Sequence, residues 1–522
     1  MFSVLIPSRN RLELLKLAVR SVLLQDFGDF EIIVSDNASE QDYRGFVDEL
    51  ADPRVRYVRS DTPLSVTENW NRALGASTRE YVVMLGDDDA LAPGYLAHQA
   101  QLVAHHDQPD VIYSMCYHYT YPGVVAGAPD GYFVTVDNSV LFRGHDAPYE
   151  VDPEVARRLG RIAASFRHQI SFNAQHYLYR RTYLESLASL GPFYQSPYPD
   201  YYASFLTFLT APRIIVDPQP RMIIGIAKQS FGFFFMNQRE EEGRSQFLGN
   251  PVDVPFLAGD DTRIARAIDE PGVSHVRNWL LAALQLKRRL EGRLEIDVDL
   301  RRYRRLQTME MALLAGYEDR EPRRRYYAFM ADLSGPDLAF ARRTLETAMT
   351  IKRLKVGDTR SVMWGLQSLL NIYYPAAVHY HPLSGHQNIL DAVHWLAGTA
   401  ETPAVEPSPS PSPSPEDVIQ DLSARLAAIE AEHDALRQRK AELDLSLKQI
   451  VQAHAQTTEN QARLDAQLTQ SKRGEQSALE RERRALEDRD RLLGERDALE
   501  RSLVWRATRP LRGILARRDE KR

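Results

Sequence analysis

The stretch YVVMLGDDDALAPG, residues 81–94, decides the fold of the N-terminal part of the chain. Its apolar residues 82–85 run into one glycine and then into three consecutive carboxylates, Asp87, Asp88 and Asp89. Adjacent like charges repel each other, and an ordinary turn needs only one Asp. An acidic triplet at the end of an apolar strand therefore indicates either a binding site for positive charge or a solvated acidic turn.

Strand-like and helix-like patterns alternate through the first 116 residues around this stretch. The strands are short, continuous and rich in Val and Ile, which is typical of a parallel sheet with helices on both faces. The sequence therefore predicts an α/β domain with right-handed crossovers and an open, twisted sheet. The predicted strands are Phe2–Ile6, Phe30–Val34, Val55–Val58, Tyr81–Leu85 and Val111–Met115, and the predicted helices are Arg11–Leu24, Gln41–Leu50, Ser65–Leu74 and Gly94–His105.

Composition limits the class of protein. The chain has 522 residues, of which 43% are hydrophobic and 26% charged, with a formal net charge of −6. These values indicate a soluble protein of several domain-sized units and disfavour a nucleic-acid binder. Cys116 is the single cysteine, so we expect no disulfide within the chain and a reducing cytosol. We see no signal-peptide pattern and no run of about 20 apolar residues, so we expect any membrane contact to be peripheral.

The chain changes character several times after residue 116. Segment 212–226, PRIIVDPQPRMIIGI, predicts two strands joined by a Pro-containing turn, and residues 255–400 are predicted to form a helical domain. Residues 401–416 are rich in Pro and Ser, which indicates an extended linker. Residues 417–502 carry apolar residues at heptad spacing, first from Ile419 to Ile450 and then in a shifted register at Leu479, Leu486 and Leu493.

Two interpretations of each C-terminal segment stay open. The heptads predict either a coiled coil that joins copies of the chain into a homo-oligomer or a single charged helix. Residues 503–522 interleave Trp505 and leucines with several arginines. This composition predicts either an amphipathic helix at a membrane surface or a solvated basic tail.

Polar residues follow each of the first four predicted strands. In an open α/β sheet, ligands bind at the carboxyl ends of the strands, so these residues should line one crevice. Carboxylates cluster stably around a hard cation, and Mg²⁺ or Mn²⁺ also takes phosphate oxygens as ligands. The sequence therefore predicts a divalent metal at Asp87, Asp88 and Asp89 that grips a diphosphate. The other residues at this edge are Pro7, Ser8, Arg9, Asn10, Asp36, Asn37, Ser60 and Asp61.

Two other nucleotide-binding folds are disfavoured by the sequence. No G-x-G-x-x-G follows the first strand, and no G-x-x-x-x-G-K-[ST] occurs in the chain. The glycines of these motifs let the backbone approach phosphates closely. A dinucleotide-binding domain and a P-loop enzyme are therefore poor interpretations.

Residues 1–245 resemble a family 2 glycosyltransferase of the Rossmann-like GT-A fold. The resemblance rests on residues 2–39, on NWNRAL at 69–74 and on YVVMLGDDDALAPG at 81–94. It implies a nucleotide-diphosphate-sugar donor, a Mn²⁺ or Mg²⁺ cofactor, a glycan acceptor and transfer with inversion. Gly86 stands where the commoner motif has an additional acidic residue, which leaves the division of roles within the triplet open.

The resemblance also implies roles for individual residues. Asp88 matches the principal metal ligand, and Asp87 would face the ribose or the metal. Asp200, in SPYPDYYASFLTF at 196–208, matches the catalytic base, although an Asp before an apolar run is also a common helix N-cap. The remaining matches concern the donor: Pro7, Ser8 and Arg9 in the first nucleotide loop, Asp36 after the second strand, Asn37 in place of a base-contacting Asp, and Arg72 and Lys228 as donor contacts or surface charges.

The C-terminal SLVWRATRPLR, residues 502–512, resembles a tail of bacterial enzymes that make surface polysaccharides. This resemblance implies a peripheral position on the inner face of the cell membrane and a lipid-linked acceptor. We therefore expect an inverting glycosyltransferase of O-antigen or capsule synthesis. Two alternatives are a nucleotidyltransferase, which normally has a Gly- and Lys/Arg-rich loop after its first strand, and a non-catalytic coiled-coil scaffold that only binds a nucleotide sugar.

Overall fold

Four parallel strands form the centre of the sheet in a computed structural model of the chain. They are β1 (Phe2–Ser8), β2 (Phe30–Asp36), β3 (Val55–Arg59) and β4 (Tyr81–Met84). β1 pairs in parallel with β2 and with β4, and β2 pairs in parallel with β3. The helices between them are α1 (Leu12–Leu23), α2 (Tyr43–Leu50), α3 (Val66–Ala76) and, after β4, α4 (Tyr95–His105). The predicted elements of this region are confirmed, with small shifts at their ends.

The structure describes residues 1–124, 129–136, 139–142, 144–168, 170–236, 243, 247, 252–270, 272, 274–317, 320–354, 378–382, 386–399, 470, 476–498 and 501.

The apolar runs of the central strands supply two separate cores. Leu5, Ile33 and Val82 enter the core on one face of the sheet. Their neighbours Val4 and Ile32 enter the core on the other face, where α1 packs. Because successive side chains of a strand point to opposite faces, a strand covered on both sides must be apolar throughout.

An antiparallel half extends the sheet beyond β4, and the sequence did not indicate it. β9 (Tyr177–Arg180) pairs antiparallel with both β4 and β6 (Val111–Thr120). β7 (Tyr132–Val136) follows β6, and β11 (Val378–His381) forms the edge. The order is therefore β11-β7-β6-β9-β4-β1-β2-β3, a mixed sheet.

The predicted pair of strands at 212–226 is wrong, because the structure has one strand there, β10 (Ile214–Ile226). Its pairing with β6 shifts register between Asp217 and Met222. Pro218 and Pro220 lie in that interval and have no N–H to donate, so the strand bulges without turning back. The continued strand also pairs with β5 (Ala90–Leu91), directly after the acidic triplet, and with β8 (Tyr149–Val151).

Helices cover the rest of the sheet. Trp279 is buried and donates a hydrogen bond from Nε1 to the carbonyl of Ala163 at 2.9 Å, which joins the region after residue 254 to the sheet domain. Ile389 and Leu390, at the start of the last helix, pack against Ala90. The remaining helices are α5 (Pro153–Ala164), α6 (Arg181–Ser186), α7 (Pro199–Thr210), α8 (Phe231–Met236), α9 (Val254–Ala258), α10 (Thr262–Asp269), α11 (Ser274–Arg289), α12 (Leu300–Tyr317), α13 (Arg320–Ala331), α14 (Gly335–Leu354) and α15 (Ile389–Thr399).

The chain divides into two units, Met1–Pro403 and Ala404–Arg522. In the second unit, residues 476–498 form a helix on which Leu479, Leu486 and Leu493 are exposed. The predicted linker at 401–416, most of the predicted coiled coil and the predicted tail at 503–522 lie outside the described residues. Across the part of the chain that is described, no helix combines the length and apolar character needed to span a membrane.

Candidate active site

The three carboxylates of the triplet have three different environments. Asp87 is fully buried, and its Oδ1 lies 2.9 Å from Nη2 of Arg11. Ser8 donates a hydrogen bond from Oγ to the other oxygen at 2.5 Å. Burial raises the pKa of Asp87 above its ordinary value, Arg11 lowers it and the neighbouring Asp88 raises it. The guanidinium of Arg11 is therefore the counter-charge that offsets part of the rise in the pKa of Asp87 that burial causes.

Asp89 is held by neutral donors. It is buried and accepts hydrogen bonds from the N–H groups of Gly86 at 2.7 Å and Gly225 at 2.8 Å, and from Nε2 of Gln175 at 2.6 Å. Burial raises its pKa well above the ordinary value, while these donors stabilise the ionised form. Asp89 therefore fastens the triplet to β10.

Asp88 is the open member of the triplet. Its side chain is half-buried, and no hydrogen bond or ion pair engages it within the described residues. The backbone of Asp88 packs closely against Gly225 in β10, since an ideal Cβ on Gly225 would lie only 1.7 Å from the carbonyl oxygen of Asp88. The fold thus presents one carboxylate to the crevice and engages the other two.

The predicted nucleotide residues build the wall beside the triplet. Asp36 is buried and accepts hydrogen bonds from the N–H of Ser39 at 2.9 Å, from Tyr57 Oη at 2.7 Å and from Arg59 Nη1 at 2.5 Å. Asn37 pairs with the backbone of Leu64 at 2.9 and 2.7 Å. Both side chains therefore shape the loop after β3 through contacts within the protein.

The other predicted donor residues are less engaged. Pro7 and Ser8 end β1, and Arg9 follows them half-buried, with its Nε buried and unpaired within the described residues. Arg72 is exposed and donates a hydrogen bond to the carbonyl of Arg59, next to Asp36. Lys228 is exposed beside Gly123. The structure thus brings Ser8 to the triplet and Arg72 to the Asp36 wall, while Lys228 stands apart in solvent.

Asp200 lies in the first turn of α7. The N-cap of this helix is Tyr198, so the N-cap alternative for Asp200 does not hold. Its Oδ1 accepts a hydrogen bond from the N–H of Tyr201 at 3.0 Å. Burial raises its pKa to about 7, and the N–H groups at the helix start act against this rise. A carboxyl group that titrates near neutrality is suited to take a proton from a hydroxyl.

A chain of contacts runs from the triplet to Asp200. Arg11 Nη1 lies 3.4 Å from the carbonyl of Gln229, two residues before Phe231. The half-buried rings of Phe231 and Tyr198 meet edge to face at 5.1 Å, and Tyr198 precedes Asp200 by two positions. Two further aromatic residues near Asp200, Tyr201 and Tyr202, are buried in the core. Tyr198 and Phe231, in contrast, stay half-buried and keep part of their surface exposed.

Sequence reasoning missed three residues of this site: Arg11, Gln175 and Gly225. The sequence could have indicated Arg11 as a site residue, because it lies in the same loop as Arg9. The indication for Gly225 was weaker, since a glycine in a strand often marks a close approach of two backbones. Gln175 follows an irregular segment, and nothing in the sequence indicated it.

The donor set fits a divalent cation only in part. Mg²⁺ and Mn²⁺ bind through one or two protein carboxylates together with substrate phosphates and water, and Asp88 supplies one such carboxylate. In the described part of the chain, no group of three or more His, Cys, Asp or Glu side chains is arranged to hold a metal ion. The geometry therefore fits a metal held mainly by a substrate, with Asp88 as its protein anchor.

A family model and several curated relatives match part of this chain. Residues 3–142 match the family described as Glycosyl transferase family 2. One relative is the colanic acid biosynthesis glycosyl transferase WcaA of Escherichia coli (strain K12). It is 33% identical over 20% of this chain and 40% of its own length. The GalNAc(5)-diNAcBac-PP-undecaprenol beta-1,3-glucosyltransferase of Campylobacter jejuni is 39% identical over 18% of this chain and 32% of its own length.

The chain spans less than half the length of these curated relatives. Among solved structures, S. aureus TarS 1–349 in complex with UDP-GlcNAc is 17% identical. The match covers 68% of this chain and 92% of that chain at a TM-score of 0.36. A likeness this distant carries no argument about function.

Replacing Gly225 by Ala should disrupt the site. The new Cβ would lie 1.7 Å from the carbonyl oxygen of Asp88, so the acidic loop must move. We expect a lower melting temperature and weaker binding of a nucleoside diphosphate with Mn²⁺, measured by thermal unfolding and calorimetry. The control is Gly75→Ala in α3, where nothing lies within 4 Å and a helical Gly→Ala change stabilises by roughly 0.5–1 kcal/mol. Equal behaviour of the two variants would contradict the tight fit at Gly225.

Replacing Arg11 by Met should leave a buried carboxylate without its counter-charge. Breaking such a pair costs about 3–5 kcal/mol, measurable as the free energy of unfolding at pH 8. Adding Asp87→Asn should recover most of this loss, because a neutral amide needs no counter-charge. Strictly additive effects in this double-mutant cycle would show that the pair does not stabilise the site.

Proposed function

We propose that this chain, which carries a glycosyl transferase family 2 domain at residues 3–142, transfers a sugar from a nucleotide-diphosphate donor to a glycan hydroxyl with inversion. The observation that carries the proposal is that the matched domain has one open carboxylate, Asp88, and that the chain has one carboxyl group of near-neutral pKa, Asp200, at the start of α7. These two groups supply the two functions that an inverting transfer needs from acidic residues.

On the donor side, Asp88 anchors Mn²⁺ or Mg²⁺ together with the donor's diphosphate. A cation held there would supply Lewis-acid chemistry, which would neutralise charge on the departing diphosphate. Arg11 adds a fixed positive charge beside Asp87, 2.9 Å away, and Ser8 fixes the other oxygen of that carboxylate. The chain thus keeps Asp87 from competing with the diphosphate as a free anion.

The nucleotide lies along the loop that Asp36 and Asn37 hold. Asn37 uses both its amide N–H and its carbonyl oxygen on Leu64, so this residue shapes the base site and the loop backbone contacts the base. Arg72 joins the same wall through the carbonyl of Arg59. Exposed Lys228 reaches the diphosphate only when its flexible stem folds over the crevice.

On the acceptor side, Asp200 removes the proton from the attacking hydroxyl. A base with a pKa close to the working pH is ionised in a large fraction of molecules and still binds the proton strongly. Its place in the first turn of α7 also favours the ionised form, because a helix N-terminus carries partial positive charge. Tyr198 and Phe231 offer ring faces and edges to the sugars on either side.

The names of the relatives and the composition of the C-terminal segments support a proposal for the biological setting. The relatives are named for colanic acid synthesis and for transfer to an undecaprenol-linked glycan. We propose a related role in bacterial surface-glycan synthesis, with a lipid-linked acceptor. The enzyme would lie peripherally on the inner face of the cell membrane through residues 503–522 and form homo-oligomers through the coiled coil. The nucleotidyltransferase alternative has no support, since PSRNRLE after β1 contains no glycine.

Replacing Asp200 by Asn should abolish transfer and leave donor binding intact. Loss of a general base typically costs 10²–10⁴-fold in rate. We expect calorimetry with a nucleoside diphosphate and Mn²⁺ to give the same affinity for the variant and the parent. Asp88→Asn is the matched comparison, because it should lose metal-dependent donor binding first. Full activity in both variants would contradict the roles proposed for Asp88 and Asp200.

The rate of transfer should depend on pH through the same residue. The pKa of Asp200 is about 7, so the base is protonated and inactive below that pH. We expect the turnover rate to rise as the pH increases through about 7 and then to level off. A rate that is independent of pH between 6 and 8, under conditions where the chemical step limits turnover, would contradict the assignment of Asp200 as base.

A further inference from the structure

A cavity of about 340 Å³ lies next to the loop of residues 192–197, which precedes α7 and Asp200. Its walls come from α3, from loop residues 192–197, from the start of α9 and from the middle of α11. Native interiors contain few voids larger than a water molecule, whereas ligand sites begin at about 300 Å³. The size of this cavity therefore fits a small-molecule site.

Hydrogen bonds join the walls of the cavity to one another. Asn71 on α3 pairs with the backbone of Tyr194 at 2.8 and 3.1 Å. Gln195 accepts hydrogen bonds from Nε2 of Gln285 and from Nε of Arg289, both at 2.8 Å. Thr67 donates from Oγ1 to the carbonyl of Ser196 at 2.7 Å. Because three separate elements are tied together in this way, the cavity is preformed and does not need to open on binding.

The lining combines apolar and aromatic side chains with a few polar and charged ones, and this combination fits a sugar. The ring of Phe256 is exposed at 36%, and the guanidinium of Arg289 lies 4.9 Å from its centroid. Gln285 and Asp253 bring an amide and a carboxylate to the same cavity. A saccharide presents C–H faces that pack on aromatic rings and hydroxyl edges that bond to amides, carboxylates and guanidinium groups. The nearby charges have both signs, which disfavours a strongly anionic ligand.

The position of the cavity links it to the reaction. Loop residues 192–197 form its wall, and α7 with Asp200 begins directly after them at Pro199. Ser196 in this loop has a φ of 74°, a left-handed conformation that only surrounding contacts can maintain in a residue other than glycine. The contact from Thr67 is one of them. The loop that fixes the start of α7 is therefore also the loop that meets a cavity ligand.

We propose that this cavity is a saccharide subsite, which binds a sugar unit of the acceptor glycan away from the reacting hydroxyl. The assignment rests on the proposed glycosyltransferase function, and it names a second site that selects the acceptor. Phe256 packs against the face of the sugar, and Gln285 with Arg289 binds its hydroxyl groups. The volume is sufficient for one or two sugar rings.

Saturation-transfer NMR on the full chain tests the subsite with three neutral disaccharides: chitobiose, lactose and maltose. We expect at least one of them to give transfer signals with the parent protein. Gln285→Trp, which fills the cavity, should abolish these signals. The matched control is Lys287→Trp on the exposed side of the same helix, which should leave them unchanged. Thermal unfolding of both variants shows whether each is folded.

Three outcomes would overturn the subsite. They are the absence of signals from all three disaccharides with the parent, equal signals from a folded Gln285→Trp variant, and displacement of the disaccharide by uridine diphosphate, which would place it in the donor site. The proposed glycosyltransferase function is tested by a different measurement, so its failure can be told apart from failure of the subsite. Hydrolysis or transfer of nucleotide sugars by the parent measures that function, whereas disaccharide binding requires no turnover.

Discussion

The acidic triplet can exist in a buried loop because the fold treats its three charges unequally. Asp87 receives a full positive charge from Arg11, and Asp89 receives three N–H donors from Gly86, Gly225 and Gln175. Only Asp88 faces the crevice without a protein partner among the described residues. These two kinds of compensation oppose the rise in the pKa of Asp87 and Asp89 that burial and the neighbouring Asp88 cause.

The partners of the triplet come from distant parts of the chain, so the site depends on the whole sheet. Arg11 follows β1, Gln175 precedes β9 and Gly225 lies in β10. The part of the sheet beyond β4 therefore has a function: with β10, it supplies two of the three donors that fix Asp89, Gln175 and Gly225. Burial also raises the pKa of Asp200, to about 7, but there backbone N–H groups at the start of α7 oppose the rise, and not a counter-charge. The same residue type thus anchors the site in one place and can move a proton in another.

The sequence was informative where one local pattern implies one structure. Continuous apolar runs in β1, β2 and β4 predicted a parallel centre, and the triplet after β4 predicted the edge that carries the site. It was uninformative about pairing: nothing in Tyr177–Arg180 shows that it inserts antiparallel between β4 and β6. It could not divide roles within the triplet either, because the division depends on Arg11 and Gly225, which only folding brings there. Pro218 and Pro220 suggested a turn, but a bulge also accommodates residues without an N–H.

The most direct test of this unequal arrangement is Mn²⁺ binding, followed by electron paramagnetic resonance in the presence of a nucleoside diphosphate. The comparison uses the parent and the three single variants Asp87→Asn, Asp88→Asn and Asp89→Asn, each checked for folding by its thermal transition. The account predicts that Asp88→Asn loses the bound Mn²⁺ signal while remaining folded, that Asp89→Asn mainly lowers the melting temperature, and that Asp87→Asn keeps the signal. A folded Asp88→Asn variant that binds Mn²⁺ and nucleotide as the parent does would contradict it.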